Sequence, residues 1–231
     1  MWALTPMETE ALLLSLRVAF WSVVCSLPLG VLVAWLLARR RFPGKAVLDS
    51  LVHLPLVLPP VVVGYVLLLL FGRRGPVGLW LHDWFGVTVA FTWKGAALAA
   101  AVVAFPLMVR AIRLSIEAVD VRLEAAARTL GARRAWVFFT VTLPLAAPGL
   151  LTGAVLAYAR SLGEFGATIT FVSNIPGETQ TVPLALYTLI QTPGGEAAAL
   201  RLVLLSAAVA MVALVLSELM ARRVKAGLVG R

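Results

Sequence analysis

The stretch "IEAVDVRLEAAARTLGARRAWVFFTVTLPLAAPG", residues 116–149, sets a run of charged residues between two long apolar segments. Ile116, Val119, Leu123, Ala126 and Leu130 recur at three- and four-residue steps, which is one face of a helix. Glu117, Asp120, Glu124 and Arg128 lie mainly off that face. Gly131 follows Leu130, at the position where a left-handed residue ends a helix. Pro144 and Pro148 mark the approach to the next apolar run. The spacing predicts a short amphipathic helix, a glycine-hinged turn and a rigid return. Such a helix can lie on a lipid surface or insert into a groove on a partner protein, and periodicity leaves both open.

The surroundings of this stretch fix its solvent. The chain of 231 residues is 61% hydrophobic and 13% charged, whereas a soluble domain carries about a quarter charged residues. It is predicted to be an all-α membrane protein of one domain, residues 1–231, with residues 114–144 as a loop within it. A bilayer span needs about 20 mostly apolar residues. Five runs qualify approximately: 11–38, 50–71, 95–112, 145–162 and 202–220. Three basic clusters follow the first, third and fifth runs: Arg39, Arg40, Arg41 and Lys45; Arg110, Arg113, Arg122, Arg128, Arg133 and Arg134; and Arg222, Arg223, Lys225 and Arg231. All three fall on one side, which the positive-inside rule makes cytoplasmic. The N-terminus, with Glu8 and Glu10 and no basic residue before Arg17, is then outside and the C-terminus inside. Arg73 and Arg74 depart mildly from the rule. This distribution, rather than the net charge of +9, argues against a nucleic-acid partner and for the bilayer. The first run lacks a basic leader and is followed by "RRRF", so it is expected to be a span and not a signal peptide.

The runs are interrupted. Pro55, Pro59 and Pro60 crowd the second, Pro28 the first and Pro106 the third. Each removes a helix hydrogen bond, and three in six residues predict a helix bent around something. "GLLTG", residues 149–153, is a small-xxx-small pair that permits close helix packing. The outer interval 72–94 holds Trp80, Trp84 and Trp93, as headgroup-level segments do. The stretch 182–190, "VPLALYTLI", is too short to span and is expected to be a short outer helix or re-entrant piece.

Several chemistries are excluded. No G-x-x-x-x-G-K-[ST] phosphate loop occurs, nor H-E-x-x-H, nor C-x-x-C. Cys25 is alone, and His53 and His82 are the only histidines, so no metal site, cofactor or catalytic residue is expected. The chain offers a path and a gate, and energy must come from a partner.

The loop at 116–149 resembles the EAA loop of ATP-binding-cassette importer permeases: Glu-Ala-Ala, a glycine a few residues on, and a hydrophobic-x-Leu-Pro ending. "EAAARTLG" and "TLP" supply Glu124, Ala125, Ala126, Gly131, Leu143 and Pro144. The usual spacing to the glycine places the motif's first residue at Ala125, so Glu124 stands one position early. In that family the helix docks on the ATPase subunit and transmits its closure, a role the resemblance carries to residues 124–131. Residues 159–196, "ARSLGEFGATITFVSNIPGETQTVPLALYTLIQTPGGE", resemble molybdate permeases. "SLGEFGA" alone is similar to sulfate permeases too, and "NIPGET" and "LIQTPGGE" point to molybdate. The resemblance implies the importer permease core of about five transmembrane helices in the bacterial cytoplasmic (inner) membrane. It also implies a homodimer, cytoplasmic ABC ATPase subunits below and a periplasmic molybdate-binding protein above. Sulfate, thiosulfate or tungstate transport is the alternative within the family. An ATPase-independent channel or a membrane scaffold is the alternative outside it.

Arg160 and Glu164 stand four residues apart beside the fourth run, where an unpaired charge costs at least ~2.5–3.5 kcal/mol. They can pair if the helix continues. A lone glutamate would repel a dianion, so Glu164 is expected to neutralise Arg160, or Arg17 of the first run, and to fix the pore wall. Ser161, Thr168 and Thr170 would supply the small polar groups of a path that releases its cargo quickly. A second reading has Arg160 and Glu164 reaching the outer interface, since the fourth run ends near them.

Overall fold

The computed structural model describes the backbone of residues 5–229 and the side chains of residues 5–212, 215 and 219. Its described elements are helical. Helix α1, Pro6–Arg39, opens on a capping box in which Thr5 accepts from the Glu8 backbone and Glu8 from that of Thr5. Its 34 residues rise roughly 51 Å, more than the ~30 Å hydrocarbon core. Helix α5, Trp93–Glu117, is the central pillar. Its small-residue face (Ala96, Ala99, Ala100, Ala104) lets α1 and helix α9, Ala147–Leu162, pack against it. The "GLLTG" pair lies in that contact: a side chain at Gly149 would collide with Ser115, and one at Gly153 would sit 3.0 Å from Ile112.

The second apolar run is two helices rather than one. Helix α2, Lys45–Val57, and helix α3, Pro60–Phe71, meet at 114°. Leu58 and Pro59 between them are extended, at ψ 141° and 134°, because a residue before proline is driven out of the α region. Helix α10, Gly166–Val172, packs on the α3 arm and on α5. A Cβ on Gly64 would lie 2.5 Å from the Ala167 carbonyl oxygen, and one on Gly166 would lie 2.9 Å from Pro60. Backbone meets backbone there, so α3 and α10 form one unit.

Two apolar clusters sit at opposite ends of α5. The one toward the start of α5 joins Val18, Val63, Leu67, Ala100 and Phe171; the one toward its end joins Leu37, Met108, Ile112, Ile116 and Ala146. Helix α4, Pro76–Phe85, carries exposed Trp80 and Trp84 in the outer interval. Helix α11, Val182–Ile190, has nine residues and packs on α1 and on helix α12, Glu196–Val229. At roughly 14 Å, α11 cannot cross a bilayer by itself. Helices α1 and α5 are each long and apolar enough to cross. The α2–α3 pair, and the segment Arg134–Leu145 with α9, qualify as bent pairs. The fifth run falls in α12. The side chains of the third basic cluster lie outside the described residues.

Candidate coupling loop and pore-wall site

The loop departs from the single amphipathic helix expected from Ile116 to Leu130. Helix α5 ends at Glu117, and helix α6, Val121–Thr129, starts afresh with Asp120 as its cap, accepting from Arg122 N at 2.9 Å. The break divides the expected face. Ile116 and Val119 are buried in the cluster at the end of α5, while Leu123, Ala126 and Leu130 are exposed. Leu130, at 88% exposure, is the most exposed large hydrophobic residue described. The glycine signal reads as expected. Gly131 has φ +86°, its N–H donates to Arg128 O, and Ala132 N–H donates to Ala127 O. These two bonds form a Schellman end.

Glu124 faces inward. Its Oε1 accepts from Arg39 Nε and from Thr142 Oγ1, both at 3.0 Å, while Arg39 Nη2 donates to Val119 O at 2.8 Å. One carboxylate thus joins the end of α1, the loop helix and the returning segment. Ala125 and Ala126 are exposed on the other side. The return runs through a short helix α7, Arg134–Val137, a π-helical turn, Phe138–Thr142, and α8, Leu143–Leu145. The Leu143 N–H reaches back to Phe138 O, and Pro144 has no N–H to continue the ordinary ladder. Leu143 is partly buried and Pro144 exposed. Helix α6 is thus tied through Glu124 to both α1 and the approach to α9.

The second group of residues lies where α9 ends. The helix stops at Leu162, so Arg160 and Glu164 do not share a continuous helix. They pair nonetheless, with Arg160 Nη1 2.8 Å from Glu164 Oε2. Glu164 is 2% exposed. Its Oε1 accepts from Ala167 N at 2.8 Å and so caps the first turn of α10, where a carboxylate is favoured. Its Oε2 is close to the guanidinium but has no aligned hydrogen bond, so the pair is an ionic contact. Arg17, the other expected partner, stacks on Trp93 at 3.8 Å. Ser161 is buried and shares a 2.9 Å hydrogen bond with Ser22. Buried Thr168 donates to Phe165 O at 2.8 Å, and partly exposed Thr170 to Gly166 O at 2.9 Å. Arg160, with 31% of its side chain exposed, and Thr170 are therefore the members with open surface.

Other polar links escaped the sequence reading. Glu8, 1% exposed, meets Arg201 Nη2 at 3.0 Å and ties the start of α1 to α12. Ser15 Oγ accepts from Val182 N at 2.8 Å. Arg113 joins Asp49 of α2 at 3.1 Å and Glu117 at 2.8 Å. Asn174 donates to Thr188 Oγ1 and accepts from Gln180. Only the Arg113–Glu117 pair has a helical spacing that sequence could have revealed.

The helical bundle, with the α6 loop between its third and fourth apolar runs, has the fold of solved ABC transporter subunits. One chain of a bacterial ABC transporter involved in the import of alginate superposes with a TM-score of 0.75 at 18% identity, covering 95% of this chain and 80% of that one. A chain of the MetNI methionine ABC transporter, in an inward-facing conformation, gives 0.66 at 15% identity, covering 94% of each. The chain belongs to the family of binding-protein-dependent transport system inner membrane components, matched over residues 26–226. It is 67% identical over 219 residues to the molybdenum transport system permease protein of Escherichia coli K12, covering 95% of this chain and 96% of that protein. The Haemophilus influenzae protein of the same description is 59% identical over the same shares. A sulfate transport system permease protein of Escherichia coli K12 is 39% identical over 80% of this chain and 67% of that protein.

Proposed function

We propose that this chain is the permease subunit of an ATP-driven molybdate importer. In this reading, two copies of the chain form the path, a periplasmic binding protein delivers the oxyanion, and separate ATPase subunits supply energy. The observation that carries the reading is the 67% identity over 95% of the chain to a molybdenum permease. The sulfate relative, at 39% over 80%, makes sulfate the weaker reading. Residues 1–231 act as one transmembrane domain, with the N-terminus outside and the C-terminus in the cytoplasm.

The ATPase receives the exposed side of α6, led by Ala125, Ala126 and Leu130. Its closure pushes α6, and Glu124 passes the displacement to α1 through Arg39 and to the return segment through Thr142. Gly131 sets the angle of that lever, and Leu143 and Pro144 stiffen its far end. At the outer end of α9, Arg160 and Glu164 present a nearly neutral wall to a dianion, and Ser161, Thr168 and Thr170 hold that wall in shape. ATP-dependent uptake of labelled molybdate into proteoliposomes, with the binding protein on the outer side and sulfate as competitor, tests the assignment. Uptake that sulfate suppresses as effectively as unlabelled molybdate does would refute the substrate.

A further inference from the structure

Two adjoining hollows run along the inner half of α1. The first is an apolar trough of about 700 Å³ lined by Leu27, Leu32, Phe139, Leu143 and Leu150 among others, with Trp35 at its end. The second, about 280 Å³, is polar and opens from the same end; Arg40, Arg128 and Arg134 line it. Trp35, Arg40, Arg134 and Phe138 border both. One carboxylate faces the polar hollow, Glu124, and it is engaged by Arg39 at 3.0 Å. None of Arg40, Arg128 and Arg134 is in an ion pair among the described residues. Arg40 instead rests over the Trp35 ring at 5.1 Å.

We infer that this continuous slot binds an anionic phospholipid of the cytoplasmic leaflet, one acyl chain in the trough and the phosphate among the three arginines. The dimensions fit. From Leu27 to Trp35, α1 rises roughly 12 Å, close to one leaflet of a hydrocarbon core ~30 Å thick. The charges change from none to three uncompensated cations at the depth marked by Trp35, where aromatic residues meet headgroups. Basic pockets between membrane helices on the cytoplasmic side suit such headgroups. A second copy of this chain would bring its own arginines, so charge favours the lipid as occupant. The inference rests on the cytoplasmic placement of the loop proposed above, but it is read by binding, without transport. Its failure is therefore distinct from failure of the importer assignment.

The test uses the purified full-length permease in nanodiscs of phosphatidylcholine doped with phosphatidylglycerol or phosphatidylcholine brominated on an acyl chain. Bromine quenches nearby tryptophan, and the difference between the wild type and Trp35→Phe isolates Trp35. Half-quenching of Trp35 is expected at a mole fraction of brominated phosphatidylglycerol about 30- to 150-fold below that of brominated phosphatidylcholine, from two to three phosphate contacts. Arg40→Gln with Arg134→Gln should bring the two lipids together, while Arg73→Gln with Arg74→Gln in the outer interval should keep them apart. Equal quenching by both lipids in the wild type would overturn the inference. So would a preference that survives the loss of Arg40 and Arg134. Absence of quenching by either lipid, the result if a second copy covers the trough, also overturns it. So does displacement of phosphatidylglycerol by inorganic phosphate, which would mark a pocket for free anions. If the first double variant inserts poorly, Arg128→Gln with Arg134→Gln carries the same test.

Discussion

Replacing Glu164 and Arg160 singly and together tests whether the pair serves the path. Glu164→Gln keeps an oxygen to accept from Ala167 N, so the α10 cap survives while the charge is lost. Arg160, 31% exposed, is then unpaired but partly solvated. Discounted for that exposure, the loss is about 1–2 kcal/mol. At about 1.4 kcal/mol per factor of ten, uptake falls roughly 5- to 30-fold. Arg160→Gln is harsher, because the carboxylate left behind is 2% exposed and had no aligned hydrogen bond on Oε2. Stranding one partner of a buried pair costs about 3–5 kcal/mol, and the remaining negative charge also opposes a dianion. The double variant removes both liabilities and should exceed Arg160→Gln by at least about tenfold in rate. The assay is the initial rate of ATP-driven molybdate uptake in proteoliposomes, normalised to folded permease. If the two losses add within about 0.5 kcal/mol, the residues act independently and the pore-wall role is wrong. If Arg160→Gln is silent, Arg160 has no part in the path.

Substitutions at three further positions have outcomes set by the geometry. Gly131→Val should uncouple the transporter, since a branched residue at φ +86° costs about 1–2 kcal/mol; binding-protein-stimulated ATP hydrolysis should fall while membrane insertion persists. Gly131→Asn should keep more activity than Gly131→Val, because asparagine enters the left-handed region more readily than a branched residue and no atom lies within 4 Å of the added Cβ. Glu124→Ala removes an acceptor shared by Arg39 and Thr142 and leaves Thr142, 1% exposed, without a partner. Stimulated ATP hydrolysis should drop by about 2–3 kcal/mol in coupling, and adding Thr142→Val should recover part of it. Gly64→Val forces a side chain against the Ala167 carbonyl, so thermal unfolding of the solubilised permease should fall by about 3 kcal/mol or more.

The apolar runs were legible because a bilayer dictates length and composition at once. The helix end at Gly131 was legible because its signal is local. The α2–α3 break was legible as three prolines but not as an angle, since its two arms pack on different partners far along the chain, α2 on α5 and α3 chiefly on α10. The division of the loop at Asp120 was hidden because Ile116, Val119 and Leu123 keep the helical period across the break. The direction of Glu124 was hidden for another reason. Its partners lie 85 residues before and 18 after it, and no spacing rule joins them. The same holds for Glu8 and Arg201, 193 residues apart. Arg160 and Glu164 were rightly paired at four residues, but the helix that would justify the pairing ends between them. The cap on α10, not helical register, holds Glu164 in place.

The angle at Pro59 has a mechanical meaning. Backbone bonds stop on either side of it: Leu58 N donates back to Leu54 O, and Val62 N only to Pro59 O. No ladder crosses the corner, so turning it breaks no hydrogen bond. Its two arms belong to different bodies. Helix α2 is pinned to the end of α5 by Arg113 and Asp49, whereas α3 is interlocked with α10 at Gly64 and Gly166. The corner is therefore a hinge between two stiff rods, held by covalent bonds alone. The arm fixed to α5 by Arg113 can therefore change its angle to the arm held by α10 without loss of a backbone hydrogen bond.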